Sequence, residues 1–275
     1  MKQRALLINP WIYDFAAYDL WARPIGLLRI AEQLRRWGWS VELIDCLDRF
    51  RPGINARRDG EGRGKYPKEE VEKPPSIARV NRRYFRYGIP VDLFLRDCNE
   101  ASPPDVIMVG STMTYWYPGY FLAIDLLRRR FPGTPIVLGG IYPRLCPGHA
   151  RGKNEAALVY TGAGGASLAD LLGELGFPVP AGPYGEVDPA WDLLSSRKSL
   201  AIQTSRGCPH RCSYCASGAL EPELCQRDPQ EVADQIENYV GRFGTTDLAF
   251  YDNALLYNSS AHIDRILLLL RGRKI

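Results

Sequence analysis

With 275 residues, 45% apolar and 24% charged, the chain has the make-up of a soluble globular protein with one large or two ordinary domains. A net charge of +4 is too mild to point to nucleic acid, and the longest apolar run, Ile266–Leu270, is far too short to span a bilayer. Seven cysteines, an odd number, argue for a reducing cytoplasm, and Met1-Lys2-Gln3-Arg4 leads on without the small-residue cleavage site of a secretory signal.

The run Arg4–Asn9 is apolar and stops at Asn9-Pro10, as a buried strand ending in a loop should. From Pro24 onward Leu27, Ile30, Ala31, Leu34 and Trp37 recur at helical spacing until Gly38, and Val41–Asp45 resumes as a strand. Strand, helix, strand within about forty residues is the βαβ pattern of a parallel sheet. The alternation then breaks over residues 49–103. Arg51, Arg57, Arg58, Arg63, Lys65 and Lys68 crowd a Gly- and Pro-rich loop, and Arg79, Arg82, Arg83 and Arg86 accompany Tyr84, Phe85 and Tyr87. Basic residues among aromatics can grip RNA phosphates and stack on bases. A solvated insertion with one helix packed over the domain accounts better for the modest overall charge.

Beyond the insertion, Asp105–Gly110 reads as a strand, Tyr120–Phe131 as a helix, Pro135–Gly140 as a strand, Ala157–Tyr160 as a fifth strand and Ser167–Leu175 as a helix. The pattern predicts an α/β fold with a doubly wound parallel, Rossmann-like sheet over residues 1–180. Ligands of such sheets bind at the carboxyl ends of the strands. Those ends carry Asn9, Ser111, Thr112, Gly139, Gly140, Thr161 and Gly162, whose small size lets a ligand approach the backbone, although the same glycines suit tight turns. After a linker over 181–198, Ser199–Thr204, Pro229–Phe243, Asp247–Asp252 and His262–Arg271 read as strand, helix, strand, helix. These are two βα units of a partial barrel over 199–275. Asp252-Asn253 at the second strand end reads equally as a ligand-facing pair or as a turn.

Between the first of those strands and its helix stands Cys208-Pro209-His210-Arg211-Cys212-Ser213-Tyr214-Cys215. The C-x3-C-x2-C spacing can converge three thiolates on one metal centre, and thiolates favour iron–sulfur clusters, Zn or Cu(I). A cubane cluster is usually held by four cysteines, so three leave one iron open to a small molecule. The alternative is a zinc knuckle completed by Cys225, His210 or His262, but zinc pairs usually read C-x2-C twice and no second pair exists. Cys46, Cys98, Cys146 and Cys225 read as buried or incidental.

This run resembles the hallmark of the radical S-adenosylmethionine superfamily, C-x3-C-x-aromatic-C, with Tyr214 as the aromatic. The resemblance implies a [4Fe-4S] cluster on Cys208, Cys212 and Cys215, with S-adenosylmethionine chelated to the fourth iron. Reductive cleavage, fed by an external flavodoxin- or ferredoxin-type donor, would give a 5′-deoxyadenosyl radical. Tyr214, Asp252 and Asn253 then count as cofactor-binding, the last two standing where the superfamily holds the amino group of S-adenosylmethionine.

An α/β domain ahead of this motif is similar to the cobalamin-binding branch of the superfamily. The words Gly139-Gly140-Ile141-Tyr142, Thr161-Gly162 and Asp188-Pro189-Ala190-Trp191-Asp192 match that branch, and the resemblance implies cobalamin at the strand ends. Lys73-Pro74-Pro75 and Arg82-Arg83-Tyr84 also have counterparts, which makes the insertion a candidate lid. The chain departs from the pattern at Gly162-Ala163-Gly164-Gly165, where many relatives read Gly-Glu-Gly-Glu. It has no Asp-x-His-x-x-Gly motif, which the branch commonly dispenses with, and His149 reads as a surface histidine. The implied activity is methyl transfer to an unactivated carbon or phosphorus of a small-molecule or peptide substrate. Cyclisation or rearrangement, or a non-catalytic cofactor- or zinc-binding module, are the alternatives. Only about 75 residues follow Ser199, whereas a full eight-unit barrel runs to ~250. The sequence is therefore expected to be the front half of an enzyme: a fragment, a truncated reading frame, or a piece completed by another chain.

Overall fold

A computed structural model describes residues 2–54, 63–153, 157–162, 164–182 and 184–273. Contacts divide the chain into two units, one reaching Ser195 and the other running from Ser196 onward and including Leu20–Arg23.

The first unit runs β1 (Arg4–Asn9), β2 (Ile12–Asp14), α1 (Ile25–Arg36), β3 (Ser40–Asp45), β4 (Lys68–Glu70), β5 (Phe85–Tyr87) and α2 (Val91–Glu100). It continues with β6 (Val106–Val109), α3 (Tyr117–Arg130), β7 (Ile136–Leu138), α4 (Ile141–Leu145), α5 (Pro147–Lys153), β8 (Leu158–Val159) and α6 (Gly164–Glu174). Five of these strands form one parallel sheet in the order β3-β1-β6-β7-β8. Leu6 and Ile8 of β1 join a core with Phe94 and Cys98 of α2 and with Ile124 and Leu127 of α3. The alternate residues Ala5 and Leu7 join a second core with Leu27, Ala31 and Leu34 of α1 and with Leu172 of α6. A strand buried on both faces reads as a continuous apolar run, and each fully buried Leu or Ile contributes roughly 1.5–3 kcal/mol. After β1 the chain adds β3 on one side and β6 on the other. The topological switch, where doubly wound sheets bind ligands, lies between the carboxyl ends of β1 and β6.

Several expectations change. Helix α3 begins at Tyr117 instead of Tyr120, because Pro118 falls in the first turn, where its missing N–H has no intrahelical partner to lose. Strand β8 is shorter than Ala157–Tyr160, and α6 begins at Gly164. The insertion holds more than a helix: β5 pairs antiparallel with both β2 and β4, in the order β2-β5-β4, over a small core of Ile12, Tyr66, Phe85 and Tyr87. Several of its cations are engaged internally. Lys68 Nζ stands 3.9 Å from the Phe85 ring centre, Arg82 lies over Phe15, and Arg86 lies over Trp11 while bonding Glu69. The Arg–aromatic pattern is here one of cation–π packing. Arg57 and Arg58 lie outside the described residues. Within the expected linker, Trp191 is buried, and Arg35 Nη1 donates to both carboxylate oxygens of Asp192 at 2.8 Å.

The second unit comprises β9 (Ser199–Ile202), β10 (Ser205–Arg206), α7 (Ser217–Leu220), β11 (Cys225–Gln226), α8 (Pro229–Phe243), β12 (Asp247–Phe250) and α9 (Ile263–Leu270). Strand β12 pairs parallel with β9 across α8, and β10 pairs antiparallel with β11. Helix α8 is bounded by chemistry at both ends. Asp228 Oδ1 accepts from the Gln230 and Glu231 N–H groups at 2.8 and 3.2 Å, Pro229 opens the first turn, and Gly244 follows at φ +63°. Arg23 belongs to this unit, its Nη2 donating to Ser199 Oγ at 2.5 Å and its backbone N–H to the Tyr251 hydroxyl at 2.8 Å. Among the described residues no helix is long and apolar enough to cross a membrane.

Candidate functional site

The cysteine loop leaves β10 and returns through α7 to β11, so its base is a short antiparallel pair with Ser205 opposite Gln226 and Arg206 opposite Cys225. Gly207 turns the chain at φ +73°, and a Cβ there would overlap the carbonyl oxygen of Glu223. Only glycine fits. Cys208 is partly buried, Cys212 and Cys215 are exposed, and Tyr214 is 90% exposed. A turn bonds the Cys215 N–H to the Cys212 carbonyl at 3.1 Å. The Ser217 hydroxyl lies 3.2 Å from Cys215 Sγ, and the Ser217 N–H donates to that sulfur at 3.4 Å. These contacts favour the thiolate and hold the Cys215 pKa below its ordinary value.

Other cysteines differ in kind. Burial pushes Cys46 well up and Cys98 up to about 12, so both stay protonated, inert core residues. Cys225 is exposed instead of buried. As the side chains stand, no three His, Cys, Asp or Glu groups among the described residues are placed to hold a metal ion. Cys212 and Cys215 are exposed, so their side chains have rotameric freedom about χ1. Three thiols on one loop, with the thiolate of one favoured, are a donor set that fits an iron–sulfur cluster.

Behind the loop lies a buried polar network. Asp252, beyond the end of β12, accepts at Oδ1 from the Thr204 N–H (3.0 Å), the Thr204 hydroxyl (2.9 Å), the Ser205 hydroxyl (2.6 Å) and the Ser205 N–H. Among the described residues its Oδ2 shares only the Thr204 N–H, at 3.2 Å. His262 Nε2 stands 2.9 Å from Thr204 Oγ1, and Thr204, Ser205 and His262 are all buried. That contact engages one of the two ring nitrogens of His262 inside the protein. His210 is exposed and meets Tyr257 edge-on. Asn253 is exposed.

A second constellation lies at the carboxyl edge of the five-stranded sheet, where Asn9, Ser111, Thr112, Gly139, Gly140, Thr161 and Gly162 follow β1, β6, β7 and β8. Most of their polar groups are bonded within the protein. Asn9 Nδ2 donates to Asp45 Oδ1 at 2.6 Å, Ser111 Oγ donates to the Gly139 carbonyl at 2.6 Å, and the Thr112 N–H donates to the Tyr120 hydroxyl at 3.0 Å. Gly140 adopts φ +99°, and a Cβ there would overlap the backbone of Ser111. Gly162 is hemmed in by Tyr160 and Ser167. These glycines therefore answer first to close packing of neighbouring loops. Thr112 and Thr161 remain exposed beside Met113, Tyr115 and Ile141, which leave apolar surface at the ends of β6 and β7. His149 is exposed on α5, its Nδ1 2.7 Å from the Tyr142 hydroxyl.

No protein-family model matches the chain. It is 27% identical over 169 residues to the anaerobic magnesium-protoporphyrin IX monomethyl ester cyclase of Synechocystis sp., covering 50% of this chain and 34% of that protein. It is 28% identical over 116 residues to the ribosomal protein uS12 methylthiotransferase RimO of Thermus thermophilus, covering 42% of this chain and 26% of that one. The structure of the radical S-adenosylmethionine methyltransferase TsrM from Kitasatospora setae, with tryptophan substrate and aza-SAM bound, superposes with a TM-score of 0.60 at 17% identity. The match takes in 98% of this chain and 50% of TsrM. A second TsrM structure, with cobalamin and a [4Fe-4S] cluster bound, gives 0.59. The proteins this chain is similar to, by sequence and by fold, are radical S-adenosylmethionine enzymes. Its fold is that of a doubly wound domain followed by the first part of a radical S-adenosylmethionine barrel, and it spans about a third or less of the curated relatives it matches.

Sequence reasoning had singled out the three loop cysteines and Asp252. It missed Gly207, Ser217 and the Thr204–Ser205–His262 network. Small hydroxyl residues immediately ahead of the cysteine run were the available signal. His262 entered only as a zinc ligand.

Proposed function

We propose that the chain carries the cofactor sites of a cobalamin-dependent radical S-adenosylmethionine enzyme of the cytoplasm, with Cys208, Cys212 and Cys215 as cluster ligands. The observation that carries this reading is the cysteine loop: three thiols outside the core, one with its pKa lowered by Ser217, on a base tied down by buried hydrogen bonds. When bound, a [4Fe-4S] cluster supplies the electron that splits S-adenosylmethionine into methionine and a 5′-deoxyadenosyl radical. The chain's own part is to hold three sulfurs and leave the fourth coordination site to the cofactor. Asn253 and the less occupied Oδ2 of Asp252 can take the ammonium group of S-adenosylmethionine, an acceptor role suited to an amide carbonyl and a carboxylate. Tyr214, fully presented on the loop, offers a ring face to the adenine. An external flavodoxin- or ferredoxin-type donor would deliver the electron.

In the first unit, cobalamin fits the exposed apolar edge of Met113, Tyr115 and Ile141 with Thr112 and Thr161 beside it, since a large flat ligand buries apolar surface and needs few directed bonds. Methyl transfer to an unactivated carbon or phosphorus of a small-molecule or peptide substrate is the reading nearest to TsrM. Cyclisation is the second, favoured by the similarity to the Synechocystis cyclase. Anaerobic reconstitution with iron and sulfide, then S-adenosylmethionine with a strong reductant, tests the core of this assignment. Release of 5′-deoxyadenosine supports it, with S-adenosylhomocysteine alongside marking methyl transfer. A colourless, zinc-loaded protein would overturn it.

A further inference from the structure

The polar network behind the cysteine loop has a direction. Asp252 can only accept, so the single hydroxyl proton of Thr204 goes to Asp252 Oδ1 at 2.9 Å. The Thr204 oxygen must then accept from His262, which fixes the imidazole as the Nε2–H tautomer at 2.9 Å. The chain His262 to Thr204 to Asp252 is buried at both His262 and Thr204, where hydrogen bonds polarise one another and an unmade one is costly. The same Asp252 oxygen gathers the N–H and hydroxyl of Ser205, the first residue of β10. His262 is itself held at the start of α9, its N–H bonded to the carbonyls of Asn258 and Ser259 and its carbonyl accepting from Ile266.

We propose that His262 positions the cysteine loop, acting through Thr204 and Asp252 to set where the chain turns out of the sheet toward Cys208. The relay links the start of the last helix, the end of the second strand and the root of the metal loop. Asp252 thereby has two tasks, one oxygen anchoring the loop and the other left for the cofactor. The inference rests on the cluster assignment for its purpose, but its geometry is independent of iron.

The test uses the full chain without metal first. Peptide mass spectrometry after timed iodoacetamide treatment reads alkylation of Cys208, Cys212 and Cys215 separately in the parent, His262→Phe, Thr204→Val and Thr204→Ser, with circular dichroism to confirm folding. Cys208 alkylation should rise at least about fivefold in His262→Phe and in Thr204→Val, the population change that one lost hydrogen bond allows. Thr204→Ser, which keeps the hydroxyl, should behave as the parent. Iron and sulfide retained after reconstitution should fall by half or more in the first two variants only, with a changed electron paramagnetic resonance line shape. Should His262→Phe fail to fold, the nearly isosteric Thr204→Val carries the same test. Parent-like alkylation and cluster content in folded Thr204→Val would overturn the proposal. If the alkylation effect holds while the parent takes up no iron, the relay stands and the cluster assignment falls.

Discussion

The two candidate cofactor regions treat their polar groups in opposite ways. At the carboxyl edge of the five-stranded sheet, Asn9 and Ser111 are bonded to neighbouring loops, and the surface left is mainly the apolar one of Met113, Tyr115 and Ile141, with Thr112 and Thr161 beside it. On the cysteine loop the sulfurs remain outside the core while the bonding is placed behind them, in Thr204, Ser205, Asp252 and His262. The first suits a large ligand held by area, the second a centre held by a few strong bonds from a fixed scaffold. The contrast teaches that conspicuous residues at a strand end can be structural, and that a loop's rigidity can come from residues outside its motif.

The sharpest way to break the contrast is to remove the sulfurs. The Cys208, Cys212 and Cys215 to alanine triple variant should drop iron from about four per chain, the content of one cubane, to background. Cys225→Ala should keep its colour and its iron. Next in size are the two glycines. Gly207→Val and Gly140→Val each force a Cβ into backbone at positive φ, at a cost of roughly 1–3 kcal/mol or more. Gly207→Val should lose the cluster and keep hydroxocobalamin binding by equilibrium dialysis, and Gly140→Val should do the reverse. Loss of both functions in either variant would mean that the two regions are not independent.

A smaller effect is expected from pH. Burial lowers the His262 pKa more than nearby Asp252 raises it, while an unfolded histidine titrates near ~6.5. Just below that pH the unfolded chain binds the proton and the folded chain does not. Stability should therefore be full above about 7 and decline as pH falls through ~6.5 toward the lower folded value. Thermal melts of the parent and His262→Gln across that range check the sign, the variant showing a flatter decline. Least affected should be Arg83→Ala. Its 3.6 Å pair with Glu70 is exposed on both sides, so the change should stay within ~0.5 kcal/mol.

How much was legible from the chain follows from how local each signal is. Helix α8 was read with both ends correct, because Asp228, Pro229 and Gly244 mark them within one turn. Strand β4 was not, since Lys68–Glu70 is exposed along its length, and its existence depends on pairing with Phe85–Tyr87, some seventeen residues away by the Glu69–Arg86 contact. The cysteine loop stood out for the reason α8 did: three cysteines within eight residues carry a recognisable spacing. The network behind them joins Thr204 to partners 48 and 58 residues distant, and no local pattern announces such a meeting. Gly140 was read as room for a ligand, whereas its open side is filled by Ser111.

The central claim is that three cysteines hold a cluster with one iron left open. Electron paramagnetic resonance of the reconstituted, reduced full chain, recorded without and with S-adenosylmethionine, tests it most directly. The account predicts a reduced [4Fe-4S] signal that changes on adding S-adenosylmethionine, in the parent and in Cys225→Ala alike. A signal indifferent to S-adenosylmethionine, and lost when Cys225 is replaced, would show a closed four-cysteine centre and contradict it.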